Sequence, residues 1–274
     1  MIQEFQTYLL AIKGYSTHTA KAYRKDLKAF ATWVKETRDG GRWSTITRAD
    51  IDEYIKYMYN QHKAPATISR HLSSINALYK YAIRQGWMTE NPARYESRPK
   101  LAKRQPNTIP LNDIVRAMVS STPAVAAMLA TLSNTGIRIQ EMLNIHVSDI
   151  NQERRTIRIH GKGAKDRTVY ITGTLATMLH DLGVGRTGRI FEGFDQRTAR
   201  HAIWTALQQA GSHAEQQSPH AIRHTYATEA AAHGANVTTL AAILGHEDIR
   251  TTQKYIDMAQ IDVKEAMQQY TIIN

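Results

Sequence analysis

The segment ESRPKLAKRQPNTIP, residues 96–110, restricts the folds open to this 274-residue chain more than any other stretch. It combines three prolines with several Lys and Arg residues and few apolar side chains. Proline fixes φ and lacks a backbone donor, so the segment cannot continue a helix or enter a central strand. We therefore predict a basic linker at 96–108 between two domains, residues 1–95 and 109–274, each long enough to bury its own core.

Positive charge is concentrated before and within this linker. Residues 1–104 contain 19 Lys and Arg against 9 Asp and Glu, a net charge of +10, whereas residues 105–274 contain 16 against 15. Such asymmetry predicts a polyanionic partner, most simply nucleic acid, for the first part of the chain. A basic surface without a partner is the alternative.

Composition also bears on the compartment. The chain has no cysteine, which excludes a disulfide scaffold and is typical of a reducing cytosol. It has no apolar stretch of about 18 residues, and its N-terminus, MIQEFQTYLLAIKGYS, has no basic leader or cleavage site. We expect a cytoplasmic protein with no membrane partner.

The first domain is predicted to be helical, with helices over 17–35, 48–60 and 66–85. Ser16 and Thr47 are suited to cap the first two. The third helix has an apolar stripe at 4-3-4-3 spacing, which indicates a core face: Ile68, Leu72, Ile75, Tyr79 and Ala82.

A different face of the third helix is basic. It is narrow enough to lie in a major groove, and Arg70, Lys80 and Arg84 could contact phosphates there. The linker adds three further candidates for DNA binding: Lys100, Lys103 and Arg104. A solvated charged face is the alternative.

The second domain mixes helices with one hairpin. Helices are predicted near 111–120, 123–134, 138–145, 174–182, 195–210, 219–233, 237–244, 249–258 and 261–271. The hairpin pairs TIRIH (156–160) with RTVYI (167–171) across the turn GKGAKD. The fold class is therefore mainly α, with a small antiparallel sheet in the second domain.

The stretch LGHEDIRTTQKYID contains a histidine and a tyrosine nine positions apart, His246 and Tyr255. On one continuous helix they would face opposite sides. Gly245 is suited to end one helix in a left-handed conformation, and Asp248 to cap another that starts at Ile249. The break could bring both side chains to one centre. A buried tyrosine and a histidine that merely ends a helix are the alternative.

Two further stretches place cations at turns and helix starts. SNTGIRIQEM puts Arg138 at the start of a helix, where anions bind, with Glu141 one turn on to orient it. HGKGAKDR puts Lys162 in the hairpin turn without forming a Walker A phosphate loop. A surface ion pair and a solvated lysine are the alternatives.

SPHAIRHTYAT presents His220, Arg223 and His224 on one helix face. Two histidines at this spacing could bind zinc. The H-E-x-x-H pattern is absent, however, and Arg223 would place a positive charge beside the cation. We expect no metal site.

These groups together favour metal-free phosphoryl transfer. Two-metal cleavage requires clustered carboxylates, and the candidate site residues include one, Glu141. Cationic side chains can instead stabilise a pentacoordinate phosphate while a hydroxyl attacks. Tyrosine suits this role because a phenolate leaves more readily than an alkoxide, so rejoining needs no ATP.

The chain resembles the tyrosine recombinase family, also called phage integrases, and is most similar to its compact Xer-type members. The likeness rests on the order and spacing of Arg138, Lys162, His220-x-x-Arg223, His246 and Tyr255. The likeness covers essentially the full chain. It implies a SAM-like helical core-binding domain, then an α+β catalytic domain of the DNA breaking-rejoining fold. It also implies site-specific recombination through a 3′-phosphotyrosyl intermediate, without metal, ATP or other cofactor.

The resemblance implies a role for each motif residue. Tyr255 would attack the scissile phosphate, Arg138 and Arg223 would bind its non-bridging oxygens, and Lys162 would protonate the departing 5′-oxygen.

The remaining residues would assist these four. His220 would help proton transfer at the tyrosine, His246 would hydrogen-bond the phosphate, and Glu141 would steady the first arginine. His224 is expected to support helix packing.

The family resemblance also implies an assembly. Four protomers would join two duplex DNA sites, linked by a C-terminal exchange helix at about 260–274. Because Met1 opens directly into the core-binding helices, no arm-binding domain is expected. A type IB topoisomerase and a DNA-binding module with an inactive site are the alternatives. The motifs do not specify the recombination-site sequence or any accessory protein.

Overall fold

In the computed structural model, the described residues are 1–38, 41–94, 106–161, 166–185, 187–246 and 248–258. The chain divides into two units, Met1–Lys103 and Arg104–Asn274. Several predicted features lie outside the described residues: most of the linker, with Lys100, Lys103 and Arg104; Lys162; and the C-terminal segment 260–274.

The described part of the first unit contains α1 (Ile2–Ala11), α2 (Thr17–Thr37), α3 (Arg48–Asn60) and α4 (Pro65–Arg84). The predicted caps are present. The Ser16 hydroxyl accepts a hydrogen bond from the Thr19 backbone N–H, and Thr47 forms a reciprocal capping box with Asp50. The sequence analysis missed α1, which has no capping side chain at its start.

The core of the first unit forms around α4. Every residue of its predicted apolar stripe is at most 3% exposed. This stripe packs with aromatic residues of α2 and α3, including Phe30 and Tyr54. Burial of each large side chain contributes roughly 1.5–3 kcal/mol, which makes α4 the central helix of this unit.

A buried aspartate, Asp26 on α2, lies beside this core at 1% exposure. Its Oδ1 is 2.7 Å from Arg70 Nη1 and 3.2 Å from His71 Nε2, both on α4. A buried carboxylate requires such partners. Arg70 is therefore tied to its own unit through Asp26, and Arg84 likewise donates to the Tyr8 hydroxyl at 3.1 Å. Lys80 is exposed on the same helix.

The second unit is also mainly helical. Its helices in the described residues are α5 (Leu111–Val119), α6 (Pro123–Thr135), α7 (Ile139–Leu143), α8 (Gly173–Gly183), α9 (Gln196–Gln209), α10 (Pro219–Ala232), α11 (Val237–Leu244) and α12 (Arg250–Met258). Each lies within a few residues of a predicted helix, so the predicted fold class is confirmed.

One antiparallel sheet accompanies these helices, with strands in the order β1 (Ile150–Asn151), β2 (Thr156–Ile159) and β3 (Arg167–Tyr170). The register pairs Ile157 with Val169 across the predicted hairpin. The sequence analysis missed β1, whose two residues are too few to show an alternating pattern.

Helix α6 runs through the core of the second unit and packs against α5, α8, α9 and α10. It ends at Gly136, which has φ of +61°. A Cβ on Gly136 would lie 2.3 Å from Tyr226 Cδ1, so only glycine fits this turn. The turn sets the start of α7 and the position of Arg138.

No helix in the described ranges is both long and apolar enough to cross a membrane.

Candidate active site

The C-terminal end of α11 holds two arginines from other helices. Gly245, with φ of +64°, closes α11 in the predicted left-handed conformation. Arg138 donates from Nη1 to the Leu244 carbonyl at 3.4 Å and from Nη2 to the Gly245 carbonyl at 3.1 Å. Arg223 donates from Nη2 to the Leu244 carbonyl at 2.8 Å. The helix end is partially negative, so it favours guanidinium groups and brings two of them together.

Glu141 lies between Arg138 and a third arginine, Arg167 on β3. Its Oε1 accepts from Arg138 Nη1 at 3.0 Å, and its Oε2 from the Arg138 backbone N–H at 2.8 Å. Arg167 donates to both carboxylate oxygens, at 3.1 and 2.8 Å, and from Nε to the Ile243 carbonyl at 2.8 Å. Burial acts to raise the pKa of Glu141, but the bonds from Arg167 and the Arg138 backbone outweigh it and lower this pKa.

Arg167 is a site residue that the sequence analysis missed. It begins the strand that follows GKGAKD, and the hairpin pattern explained its presence without a functional role. A basic residue directly after a glycine-rich turn is only a weak sequence signal of a functional site. The structure shows that its guanidinium makes a bidentate pair with Glu141, so it fixes the carboxylate that orients Arg138.

Arg223 is buried, at 2% exposure, and its guanidinium donates hydrogen bonds mainly to main-chain carbonyls. Nη1 donates to the Gly136 carbonyl at 2.7 Å, and Nη2 lies 2.7 Å from His246 Nε2. Burial, followed by the nearby Arg138, lowers the pKa of Arg223 to about 10. The guanidinium therefore stays charged at neutral pH.

The contacts of His246 define its protonation. A guanidinium can only donate, so Nε2 of His246 must accept from Arg223. Its Nδ1 then carries the proton and donates to Thr252 Oγ1, 2.8 Å away on α12. Burial, followed by Arg223 and Arg138, lowers the pKa of His246 to about 4, in agreement with a neutral ring. His246 thus connects Arg223 to the helix of Tyr255.

Tyr255 is buried on α12, at 1% exposure. Its ring packs in a small apolar cluster with Ala227, Leu240 and Leu244. Its hydroxyl lies 2.6 Å from Nδ1 of His224. Burial raises the pKa of Tyr255, and the charge of Arg223 acts against that shift. The positive charge of Arg223 therefore favours loss of the phenolic proton.

His220 lies on the same face of α10 as His224 and is linked to Tyr255 through the His224 ring. His220 packs edge-on against the ring of His224, with centroids 4.2 Å apart. Burial, followed by Arg223, lowers the pKa of His220. The expectation that His224 only supports helix packing is incomplete, because this ring makes a direct hydrogen bond to Tyr255.

The break between α11 and α12 allows this convergence. Asp248 accepts from the backbone N–H of Arg250 at 3.0 Å, and α12 begins at Arg250, one residue later than predicted. One hydrogen-bonded group now contains four of the predicted residues: Arg138, Glu141, Arg223 and His246. The bond from His246 to Thr252 reaches α12, the helix of Tyr255, whose hydroxyl bonds to His224. Their catalytic roles remain predictions.

Comparisons with known proteins follow the same division of the chain. Residues 110–260 match the Phage integrase family, and residues 2–86 match the phage integrase N-terminal SAM-like domain. Tyrosine recombinase XerD of Oceanobacillus iheyensis is 28% identical over 98% of this chain and 97% of its own length.

Two solved structures show the likeness in fold. XerH site-specific recombinase, bound to difH substrate in a pre-cleavage complex, superposes with a TM-score of 0.75 at 17% identity, covering 99% of this chain and 85% of XerH. A lambda integrase (75–356) dimer bound to a COC′ core site superposes with a TM-score of 0.76 at 17% identity, covering 93% and 94%.

Proposed function

Since the chain belongs to the phage integrase family and is a tyrosine recombinase related to the Xer enzymes, we propose that it cuts and rejoins duplex DNA at a specific recombination site. The observation that supports this most directly is the position of Tyr255. Its hydroxyl is hydrogen-bonded to His224 of α10, the helix that also carries the buried Arg223. The charge of Arg223 acts on the phenol, and Arg223 shares a helix end with Arg138. The Xer relatives favour recombination over the relaxation reaction of a topoisomerase.

The proposed reaction begins with attack of the Tyr255 oxygen on the scissile phosphorus. A phosphorus–oxygen bond forms to tyrosine, the bond to the DNA 5′-oxygen breaks, and the strand remains attached as a 3′-phosphotyrosine. Lys162 supplies a proton to the departing 5′-oxygen. The reverse reaction, with the 5′-hydroxyl of a partner strand, restores the phosphodiester and frees the tyrosine.

Arg138 and Arg223 stabilise the charge that develops on the non-bridging oxygens. Each guanidinium has five N–H donors, so the carbonyl contacts described above leave donors for phosphate. Arg138 is 46% exposed at its side chain and is accessible to DNA. Arg223 is preorganised by its buried carbonyl partners, and such fixed donors stabilise a transition state more than mobile ones. His246 assists through Arg223, from which its Nε2 accepts a hydrogen bond, and His220 assists at the tyrosine.

Binding and assembly form the remainder of the proposal. Residues 1–95 act as a core-binding domain, and the excess charge of residues 1–104 supports contacts to the DNA backbone. Arg70, Lys80 and Arg84 contribute there, followed by Lys100, Lys103 and Arg104 of the linker at 96–108. Four copies assemble on two sites in the cytoplasm, joined by the exchange segment at about 260–274, and residues 109–274 carry the chemistry.

Cleavage should not require a metal ion. The Glu141 carboxylate already accepts hydrogen bonds from Arg138 and Arg167, so it is not free to bind a metal ion. Every cation proposed to act on the phosphate is a side chain. We expect the protein to form a covalent adduct with a pool of nicked duplexes at the same rate in EDTA as in Mg²⁺, and without ATP. Gel separation of the adduct measures this, and sequencing of the trapped duplexes identifies the site. Loss of adduct in EDTA, with recovery on adding a divalent ion, would contradict the metal-free mechanism.

Substitution of Arg167 should slow cleavage, although the Arg167 side chain is not expected to contact DNA. Arg167→Gln removes two charged hydrogen bonds from Glu141 and leaves Arg138 less firmly oriented. We expect the adduct to form about 10- to 100-fold more slowly, which corresponds to the roughly 1.5–3 kcal/mol of one charged hydrogen bond. Arg158→Gln, an exposed site on the neighbouring β2, is the matched control and should cleave normally. Equal rates in the two variants would show that Glu141 does not need its second arginine.

A further inference from the structure

The nucleophile candidate makes its hydrogen bond to a histidine outside the group to which the family resemblance gives catalytic roles. Tyr255 Oη is 2.6 Å from His224 Nδ1, a short contact for an oxygen and a nitrogen. Both side chains are buried, at 1% and 8% exposure, so water does not compete for the bond. The two residues come from different helices, α12 and α10, and are 31 positions apart. The pair is therefore a product of tertiary packing.

The surroundings of His224 keep its ring neutral. Burial, followed by nearby cations and histidines, lowers the pKa of His224 to about 3. The groups that act on it from the elements around it are His220 and Arg223 on α10, Lys254 and Tyr255 on α12, and His246 after α11. A neutral imidazole has one ring nitrogen with a free lone pair. When Nδ1 is the nitrogen with the free lone pair, the phenol donates a hydrogen bond to His224 across the 2.6 Å contact.

We propose that His224 is the group that takes the phenolic proton of Tyr255 as its oxygen attacks the phosphate. This inference rests on the proposed role of Tyr255 as nucleophile. As the oxygen–phosphorus bond forms, the O–H bond of tyrosine breaks and its proton moves to Nδ1 of His224. The electron pair of that bond remains on the oxygen. The bond from phosphorus to the 5′-oxygen breaks at the other side, and the 5′-oxygen receives its proton from Lys162.

The site can supply this step although His224 is a weak base in the free protein. Besides burial, Lys254 and Arg223 disfavour its protonation. Arg223 is one of the two proposed phosphate-binding residues, and the Lys254 ammonium lies over the Tyr255 ring, 4.8 Å from its centroid. A bound phosphate offsets their charge, and a phenolic oxygen that is bonding to phosphorus becomes far more acidic. His220 then has a different task from the one expected. Its ring packs edge-on against His224 and holds that ring in line with the tyrosine.

Asparagine substitutions can separate proton transfer from packing. In His224→Asn the amide oxygen can occupy the position of Nδ1 and accept the hydrogen bond, but it cannot take up the proton. His220→Asn is the matched change one helical turn earlier. Each variant is assayed with the full chain for single-turnover adduct formation on a trapped nicked duplex, from pH 6 to pH 9. Band shifts and thermal melts measure DNA binding and folding in parallel.

We expect His224→Asn to bind the duplex normally and to form adduct about 100-fold more slowly at neutral pH, the usual contribution of a general base. Its rate should rise steadily with pH, because the phenol must then ionise unaided, whereas the wild-type rate should be flat. His220→Asn should lose a smaller factor and keep the flat profile. A wild-type rate in His224→Asn, a flat profile in that variant, or the steep profile in His220→Asn instead would overturn the proposal.

A second measurement needs no substitution of His224. In protein labelled with ¹⁵N at histidine, NMR reports which ring nitrogen carries the proton. We expect one histidine with an unprotonated, hydrogen-bonded Nδ1 whose resonance shifts in Tyr255→Phe. A proton on that Nδ1 would reverse the direction of the bond and overturn the inference. If the wild-type protein formed no adduct with any duplex, the proposed function itself would fail, independently of His224.

Discussion

Tyr255→Phe should reduce covalent adduct formation on nicked duplex DNA to the background level. The change removes the attacking oxygen and keeps the ring that fills the apolar cluster on α10 and α11. DNA binding should stay near normal, as a band shift will show. Stability should fall modestly, since the buried Nδ1 of His224 loses its partner, at a cost of about 1–3 kcal/mol. A thermal melt measures that loss.

Two other tyrosines serve as controls for this variant. Tyr226 is on the helix of Arg223, but its ring lies against the Gly136 turn, so Tyr226→Phe should still form adduct. Tyr270 lies outside the described residues, in the proposed exchange segment at about 260–274, so Tyr270→Phe should cleave as well. An adduct from Tyr255→Phe, or its loss from Tyr226→Phe alone, would mean that another residue is the nucleophile.

Much of the fold follows from local sequence signals. Ser16 and Thr47 cap helices because their side chains reach backbone N–H groups only three residues away. Gly245 closes α11 because the left-handed conformation suits glycine. The break at Gly245 then predicts that His246 and the helix of Tyr255 can approach one centre, and the bond from His246 to Thr252 shows that they do.

The remainder of the site could not be derived from local signals. Arg167 and Glu141 are 26 positions apart, and His224 and Tyr255 are 31 apart, so neither pair leaves a periodic pattern. Arg167 stands in a strand and His224 in a helix, where ordinary packing accounts for each residue. The family resemblance assigns roles to motif residues one at a time. It gives proton transfer at the tyrosine to His220, whereas the structure places His224, one helical turn later, in hydrogen-bond contact with the Tyr255 hydroxyl.

Arg223→Lys should be the most damaging conservative change in the second unit. Lysine keeps the charge, but its single ammonium cannot span the Gly136 carbonyl, the Leu244 carbonyl and His246 Nε2, which the guanidinium contacts within 2.7–2.8 Å. Loss of one preorganised donor to a developing phosphate charge slows an enzyme about 100- to 1,000-fold, so we expect adduct formation to fall at least that far. Single-turnover cleavage of the trapped nicked duplex measures the rate.

The same change should also lower stability, because a buried carbonyl left without its partner costs about 1–3 kcal/mol. Urea unfolding measures this loss of stability separately, so the cleavage rate can be corrected for the fraction of folded protein. Arg116→Lys on α5 is the matched control, since that guanidinium is half exposed, and it should leave both quantities nearly unchanged. A rate in Arg223→Lys equal to wild type after this correction would show that Arg223 serves the fold alone. The phosphate would then depend on Arg138, whose more exposed guanidinium is held by Glu141 and by the Leu244 and Gly245 carbonyls.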